Sequence, residues 1–162
     1  MIKEVASIEL PVHESMVVRK NRLMPKNYKD GDNVPRISIV TGIHGDELDG
    51  QYICYEVIRR INQYPEKLKG IIDIYPDINP LGIPMFELDM NRVFPGDNNG
   101  AVAESVAAGI VNDIIGSDFC LDIHSSNIFV REMPQVRLND DNVDRLLPYA
   151  KMLNADFVWI FS

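Results

Sequence analysis

The sequence is short of positive charge: Lys and Arg together number 16 against 24 Asp and Glu, for a formal net charge of −8 and a pI near 4.8. Such a balance repels polyanions, so neither nucleic acid nor an anionic membrane is expected as a partner. A small anionic substrate stays open, because a few arginines reverse the field within one cleft. Apolar runs are short too. None approaches the ~20 residues that span a bilayer, and Met1-Ile2-Lys3-Glu4 does not begin a basic region followed by a long apolar one. A cytoplasmic location is the expectation. Cysteine is scarce: Cys54 and Cys120 would suffice for one bridge, but both lie in apolar runs that suit reduced core thiols. No internal repeat and no low-complexity segment is present.

What is present is an ordinary globular balance. The 162 residues, 46% hydrophobic and 25% charged, suffice for one domain over 1–162 with a sizeable core. Val5, Ser7 and Glu9 alternate with Ala6, Ile8 and Leu10, and Met16-Val17-Val18 follows a Pro11–Ser15 turn, which predicts an antiparallel N-terminal hairpin. Residues 26–33 read as a surface loop. Two strand–helix units follow. Ile37–Val40 is a short buried strand, and apolar residues at helical spacing run from Leu48 until Pro65 stops them. Ile71–Tyr75 is a second strand. A long region rich in Pro, Gly, Asn and Asp leads to a helix over Val102–Ile115 and a strand over Asp118–Ile123. A helix over Asn139–Leu153 and a last strand over Ala155–Phe161 complete the order. Strands separated by helices predict an α/β fold: a mixed, mostly parallel sheet with helices on both faces.

In such sheets chemistry gathers beyond the C-terminal ends of strands. Two of the three histidines fall there, His44 after the strand ending at Val40 and His124 after the strand ending at Ile123. Glu47 follows His44 by one turn of chain. Two imidazoles and a carboxylate form the three-donor set of a catalytic zinc site, with a position left for water. Gly42 and Gly45 flank His44 and permit tight backbone there. The bland alternative is a hydrogen-bonded structural histidine beside a helix-start carboxylate. His13 has no neighbours at ligand spacing apart from Glu14 and receives no role.

Three separated segments, Gly42-Ile43-His44-Gly45-Asp46-Glu47, Asp89-Met90-Asn91-Arg92-Val93-Phe94-Pro95-Gly96 and Asp122-Ile123-His124-Ser125-Ser126, resemble the succinylglutamate desuccinylase/aspartoacylase family of the zinc carboxypeptidase-like group. The resemblance covers about Ile37 to Phe129. It implies a zinc carboxypeptidase-like fold, one Zn²⁺ per chain on His44, Glu47 and His124, and a substrate carboxylate gripped by Asn91 and Arg92. It also implies that Asp89 accepts the free ring N–H of His44. Asp122 is left without a role, and Ser125 and Ser126 are candidates to line the site. The implied reaction is metal-assisted hydrolysis of an amide, as in removing an acyl group from an N-acyl amino acid.

Two departures accompany the likeness. The family's arginine ahead of the Asn-Arg pair has no counterpart in Leu81–Leu88, and such an oxyanion donor is worth about 10²–10³ in rate. Arg131 and Arg137 are candidate substitutes. The family's proton-shuttling glutamate is expected beyond Ser162, since nothing in the spacing of Glu132 supports it. The chain is therefore expected to be the N-terminal part of a longer protein, or to have its sheet completed by another chain. Two rival functions follow: a pseudoenzyme that binds zinc or carboxylates, and a carboxypeptidase acting on short peptides. A cysteine hydrolase built on Cys120 and His124 is disfavoured, because a regular strand holds those residues about 13 Å apart.

Overall fold

In a computed structural model, residues 1–45, 47–79, 89–126 and 131–162 are described. Asp46 of the first motif and the arginine-free stretch Leu81–Leu88 lie outside them. The chain divides into two compact units, Met1–Ile128 and Phe129–Ser162.

The first unit is built on a five-stranded sheet in the order β1-β2-β4-β3-β5. Strands β1 (Ile2–Glu9) and β2 (Ser15–Leu23) form the expected antiparallel hairpin. The chain reverses between them through Val12 and His13, both at φ 63°. This left-handed conformation is disfavoured for a β-branched residue such as Val12. Strand β2 also pairs antiparallel with β4 (Ile71–Tyr75). On the far side of β4, β3 (Arg36–Thr41) runs parallel to both β4 and β5 (Phe119–Ile123). This is the mixed, mostly parallel α/β sheet with an N-terminal hairpin that the sequence predicts.

Alternation along the central strands sorts the core into two layers. Ile39 and Ile74 pack with Cys54, Val57 and Ile58 of α1 (Leu48–Gln63). Their neighbours Val40 and Tyr75 point the other way and pack with Val106, Ala107 and Ile110 of α2 (Val102–Ile114). Successive strand residues face opposite sides, so the two helices cover opposite faces. Helix α2 starts at a turn in which Glu104 accepts the Ala101 N–H at 2.7 Å, half of a capping box. Among the described residues, no helix is long and apolar enough to cross a membrane.

The α2 face of the sheet also buries charge. Asp73, on β4 and fully buried, accepts from Arg22 Nε and Nη2 at 2.7 and 2.6 Å and from Arg36 Nε at 2.8 Å. Lys20, 2% exposed, reaches both Asp73 and Asp113 of α2, and the Tyr75 hydroxyl donates to Asp113.

The second unit pairs β6 (Gln135–Asn139) parallel to β7 (Phe157–Phe161), joined through α3 (Val143–Ala150). Two expectations are corrected here. The helix predicted over Asn139–Leu153 is an eight-residue α-helix flanked by 3₁₀ turns at 140–142 and 151–153. Pro148 lies inside it and supplies no N–H for the ladder. Strand β6, absent from the sequence reading, has only Val136 and Leu138 alternating in five residues, a signal too short to separate from loop. Arg137, a candidate oxyanion donor, lies with its guanidinium 5.3 Å from the centre of the Trp159 ring within this unit.

The cysteines divide. Cys54 is a buried core thiol as expected, whereas Cys120 is exposed, and both are free. Cys120 shares an exposed side of β5 with Asp122, so its apolar neighbours in sequence misrepresent its surroundings.

Candidate metal centre

The site forms where β3 and β5 end side by side, with Thr41 paired to Ile123. After Thr41 the chain leaves the sheet through Gly42 at φ 78°. A Cβ at Gly42 would lie 3.0 Å from the Asp77 backbone, so both the dihedral and the space favour glycine. Asn79 Nδ2 then donates to the Ile43 carbonyl at 2.8 Å, and Asp77 Oδ1 accepts from Asn79 N–H at 3.2 Å. These contacts brace the loop that presents His44. Burial raises the pKa of the Asp77 carboxyl. Sequence reading left residues 77–79 inside a turn-rich stretch. The residue types suggested a turn but not what it supports.

A hydrogen bond from Glu47 N–H to the His44 carbonyl closes one turn, which brings the two side chains together. Glu47 stands just before α1, where the helix N-terminus favours a carboxylate. The helix reaches this position because Gly50 has no side chain: a Cβ there would lie 1.9 Å from Thr41 Oγ1. From the other strand, His124 follows β5 directly.

The donors converge. His44 Nδ1 lies 2.7 Å from Glu47 Oε1, and His124 Nδ1 lies 3.3 Å from Glu47 Oε2. The two rings are 5.3 Å apart between centroids. One ligand atom from each of the three residues falls within 4.8 Å of the others, the arrangement of a group that can hold a metal ion. Glu47 is largely buried, with 11% of its side chain exposed, while each imidazole is 35% exposed. Ser125 contributes through its backbone, donating N–H to Glu47 Oε2 at 2.9 Å and so tying the two strand ends together.

Each ring's other nitrogen meets an aspartate. His44 Nε2 is 3.2 Å from Asp89 Oδ1, and His124 Nε2 is 2.9 Å from Asp122 Oδ2. Asp89 also accepts Asn91 N–H at 3.0 Å and lies 3.6 Å from Arg92 Nε. It caps the 3₁₀ turn Met90–Arg92, whose Met90 is buried while Asn91 and Arg92 are exposed. The structure thus gathers His44, Glu47, His124, Asp89, Asn91 and Arg92 in one unit. The sequence leaves the role of Asp122 open, although residues two apart on one strand share a face and that period alone places it beside His124.

Both imidazoles hold their protons above the ordinary range. For His124 the largest cause is the hydrogen bond to Asp122, with burial opposing it and the Asp122 and Glu47 charges adding to it. For His44 burial is the largest influence and pulls downward, but Glu47 and Asp89 together outweigh it. A metal takes an imidazole whose ligating nitrogen is free of its proton, so cation binding must expel protons. Affinity for a divalent cation is therefore expected to climb as pH rises through the raised imidazole range. Calorimetry in buffers of different ionisation enthalpy measures the protons released, and an affinity flat over that range would contradict the expectation. In the cation-free protein the slope reverses. The charged rings stabilise the fold fully below the ordinary imidazole pKa, and that stability fades as pH rises through the raised value.

Residues 33–162 match the family model described as the succinylglutamate desuccinylase/aspartoacylase catalytic domain. The match extends past the Ile37–Phe129 span that carries the sequence motifs. Among curated proteins, the chain is similar to the N-α-acetyl-L-2,4-diaminobutyric acid deacetylase of Halomonas elongata, 31% identical over a match 99 residues long that covers 56% of this chain and 28% of that protein. Among solved structures it is similar to an aspartoacylase family protein from Mesorhizobium loti, with a TM-score of 0.77 at 23% identity, covering 99% of this chain and 52% of that one. A metallo-carboxypeptidase from Burkholderia cenocepacia gives 0.71 at 16% identity, covering 100% and 48%. The chain spans about half the length of these structures, and the likeness to them establishes the fold.

Proposed function

We propose, from the premise that this chain belongs to the succinylglutamate desuccinylase/aspartoacylase family, that it carries the zinc site and carboxylate grip of an amide hydrolase of the N-acyl amino acid deacylase type. The observation that carries the reading is the convergence of His44, Glu47 and His124 beside the Asp89–Arg92 turn. Two imidazoles and one carboxylate suit zinc, which accepts mixed nitrogen and oxygen donors. Cations that prefer all-oxygen sites fit this set less well.

When bound, such a cation supplies Lewis acidity toward the scissile carbonyl and acidifies a water molecule. The remaining work belongs to the side chains. His44, Glu47 and His124 would hold the cation, with both Nδ1 atoms already facing the Glu47 carboxylate. Asp89 fixes the His44 ring. Arg92, with 80% of its side chain exposed, is free to present its guanidinium to a substrate carboxylate while Asn91 adds an amide donor. A proton for the leaving amine is needed in addition, and the reading assigns it to none of these residues. The acidic surface of the chain fits an anionic substrate only through this local cation.

The test uses the complete protein. Zinc content, chelator sensitivity and turnover of a panel of N-acyl amino acids are measured together with an Arg92→Ala variant. One zinc per chain and chelator-sensitive deacylation are expected. Loss of a charge-assisted hydrogen bond worth about 1.5–3 kcal/mol lowers kcat/KM for Arg92→Ala about 10–100-fold, mainly through KM. Stoichiometric zinc without turnover of any substrate would instead favour the binding module. Release of C-terminal residues from short peptides would favour the carboxypeptidase reading, which the metallo-carboxypeptidase-like fold supports.

A further inference from the structure

We infer that Asp122 is a positioning residue that holds His124 in register as a metal ligand, an inference that rests on the zinc-site reading above. Asp122 is the penultimate residue of β5, the end strand of the five, and its backbone pairs in register with Val40 of the interior strand β3. It therefore stands on a rigid element. Its Oδ2 lies 2.9 Å from His124 Nε2, while Nδ1 of the same ring lies 3.3 Å from Glu47 Oε2. Both ring nitrogens are committed. A carboxylate at Nε2 keeps the proton on that nitrogen and leaves the Nδ1 lone pair free for a cation, and it fixes ring rotation as well.

The same pattern occurs at His44, where Nδ1 faces Glu47 and Nε2 faces Asp89. The two aspartates nevertheless serve different surroundings. Asp89 also accepts Asn91 N–H and lies near Arg92, so it belongs to the substrate-gripping turn as well as to the metal ligand. Among the described residues, the Asp122 carboxylate makes its hydrogen bond to His124. Disturbing Asp89 is therefore felt at both ends of the site, and disturbing Asp122 at the metal end alone. The carboxylate also makes the imidazole a better donor than an amide would, so charge and geometry contribute separately.

The experiment compares Asp122→Ala, Asp122→Asn and Asp89→Ala with the unaltered complete protein. Zn²⁺ affinity is read by competition with a chromophoric chelator, and the visible spectrum is recorded with Co²⁺ at saturation. Asp122→Ala is expected to bind Zn²⁺ about 10–100-fold more weakly and to shift the cobalt bands, because the ring is free to turn. The loss appears in metal affinity and kcat rather than in KM for an N-acyl amino acid, whereas Asp89→Ala moves KM too. Asp122→Asn keeps an oxygen that can accept Nε2–H, and falls between alanine and wild type. Melting of the metal-free variants checks folding, and if alanine does not fold the asparagine variant decides. Wild-type zinc affinity with an unshifted cobalt spectrum in a folded Asp122 variant overturns the role of Asp122 alone. Absence of zinc binding by the unaltered protein overturns the zinc-site reading and this inference with it.

Discussion

With the proposed zinc site in place, replacing Glu47 by alanine is expected to weaken zinc binding by about two to three powers of ten and to take the proposed amide hydrolysis down with it. Apparent binding energies of about 10–16 kcal/mol for four-donor zinc sites correspond to about 2.5–4 kcal/mol per donor, and ~1.4 kcal/mol is tenfold in affinity. Glu47 is also the residue toward which both Nδ1 atoms point, and it accepts the Ser125 N–H. Its loss therefore removes a donor and the link between the ends of β3 and β5. Glu47→Gln separates these effects. An amide oxygen still accepts from Ser125, so the metal-free glutamine variant should melt close to wild type while binding zinc poorly. Chelator competition on both variants, with melting of the metal-free forms, gives the comparison. Wild-type zinc affinity in Glu47→Ala would remove Glu47 from the ligand set.

Replacing Asp73 by alanine is expected to cost the fold about 3–5 kcal/mol, the usual penalty for stranding buried charge after one partner is removed. Three cations converge on this one carboxylate. Lys20 and Arg22 approach from β2 and Arg36 from β3, all at 20% exposure or less. Without Asp73, Lys20 keeps Asp113, which already receives the Tyr75 hydroxyl, Arg36 keeps the Asp113 and Ile115 backbone carbonyls, and Arg22 loses its carboxylate partner. Burial, the largest influence, acts to raise the Asp73 pKa. The hydrogen bonds from Arg22 and Arg36 and the Lys20 charge outweigh it, so the carboxyl titrates below its ordinary value. The sign follows. Its contribution is complete above the ordinary carboxylate range and is lost as pH falls through the depressed value. Denaturant unfolding at pH ~7 and at pH ~3–4 measures both effects: a large deficit for Asp73→Ala at neutral pH that narrows in acid. A deficit under ~1 kcal/mol at neutral pH would show that the three cations find water without difficulty.

These two residues also mark how far the sequence could be read. Glu47 was legible because three residues of local chain join it to His44, and because both histidines follow apolar runs that could only be strands. The order of strands and helices as far as β5 was legible for the same reason, since each apolar run is bounded by Gly, Pro or a polar loop, whereas β6 offered no such run. Asp73 was not. Within Ile71-Ile72-Asp73-Ile74-Tyr75 it reads as one polar residue in a buried strand. Its partners lie 51, 53 and 37 residues away, on strands whose pairing no local pattern dictates. Asn79 was hidden likewise, because its bond to the Ile43 carbonyl spans 36 residues. Asp122 is a different case. The two-residue period of a strand was enough to place it beside His124, so this signal was present in the sequence.

The parallel pairing of β3 with β5 has a consequence for the order of events during synthesis. Glu47 leaves the ribosome 78 residues before Ser125, an interval of about 4–16 s at typical elongation rates of ~5–20 residues per second. Throughout that time a nascent chain offers a metal only His44 and Glu47, two donors of the three. The third arrives when β5 is laid against β3, a pairing that waits for α1, β4 and α2 to be made first. A three-donor site is thus complete only after β5 has joined β3, so the sheet's topology sets the earliest point at which a cation could be held by all three.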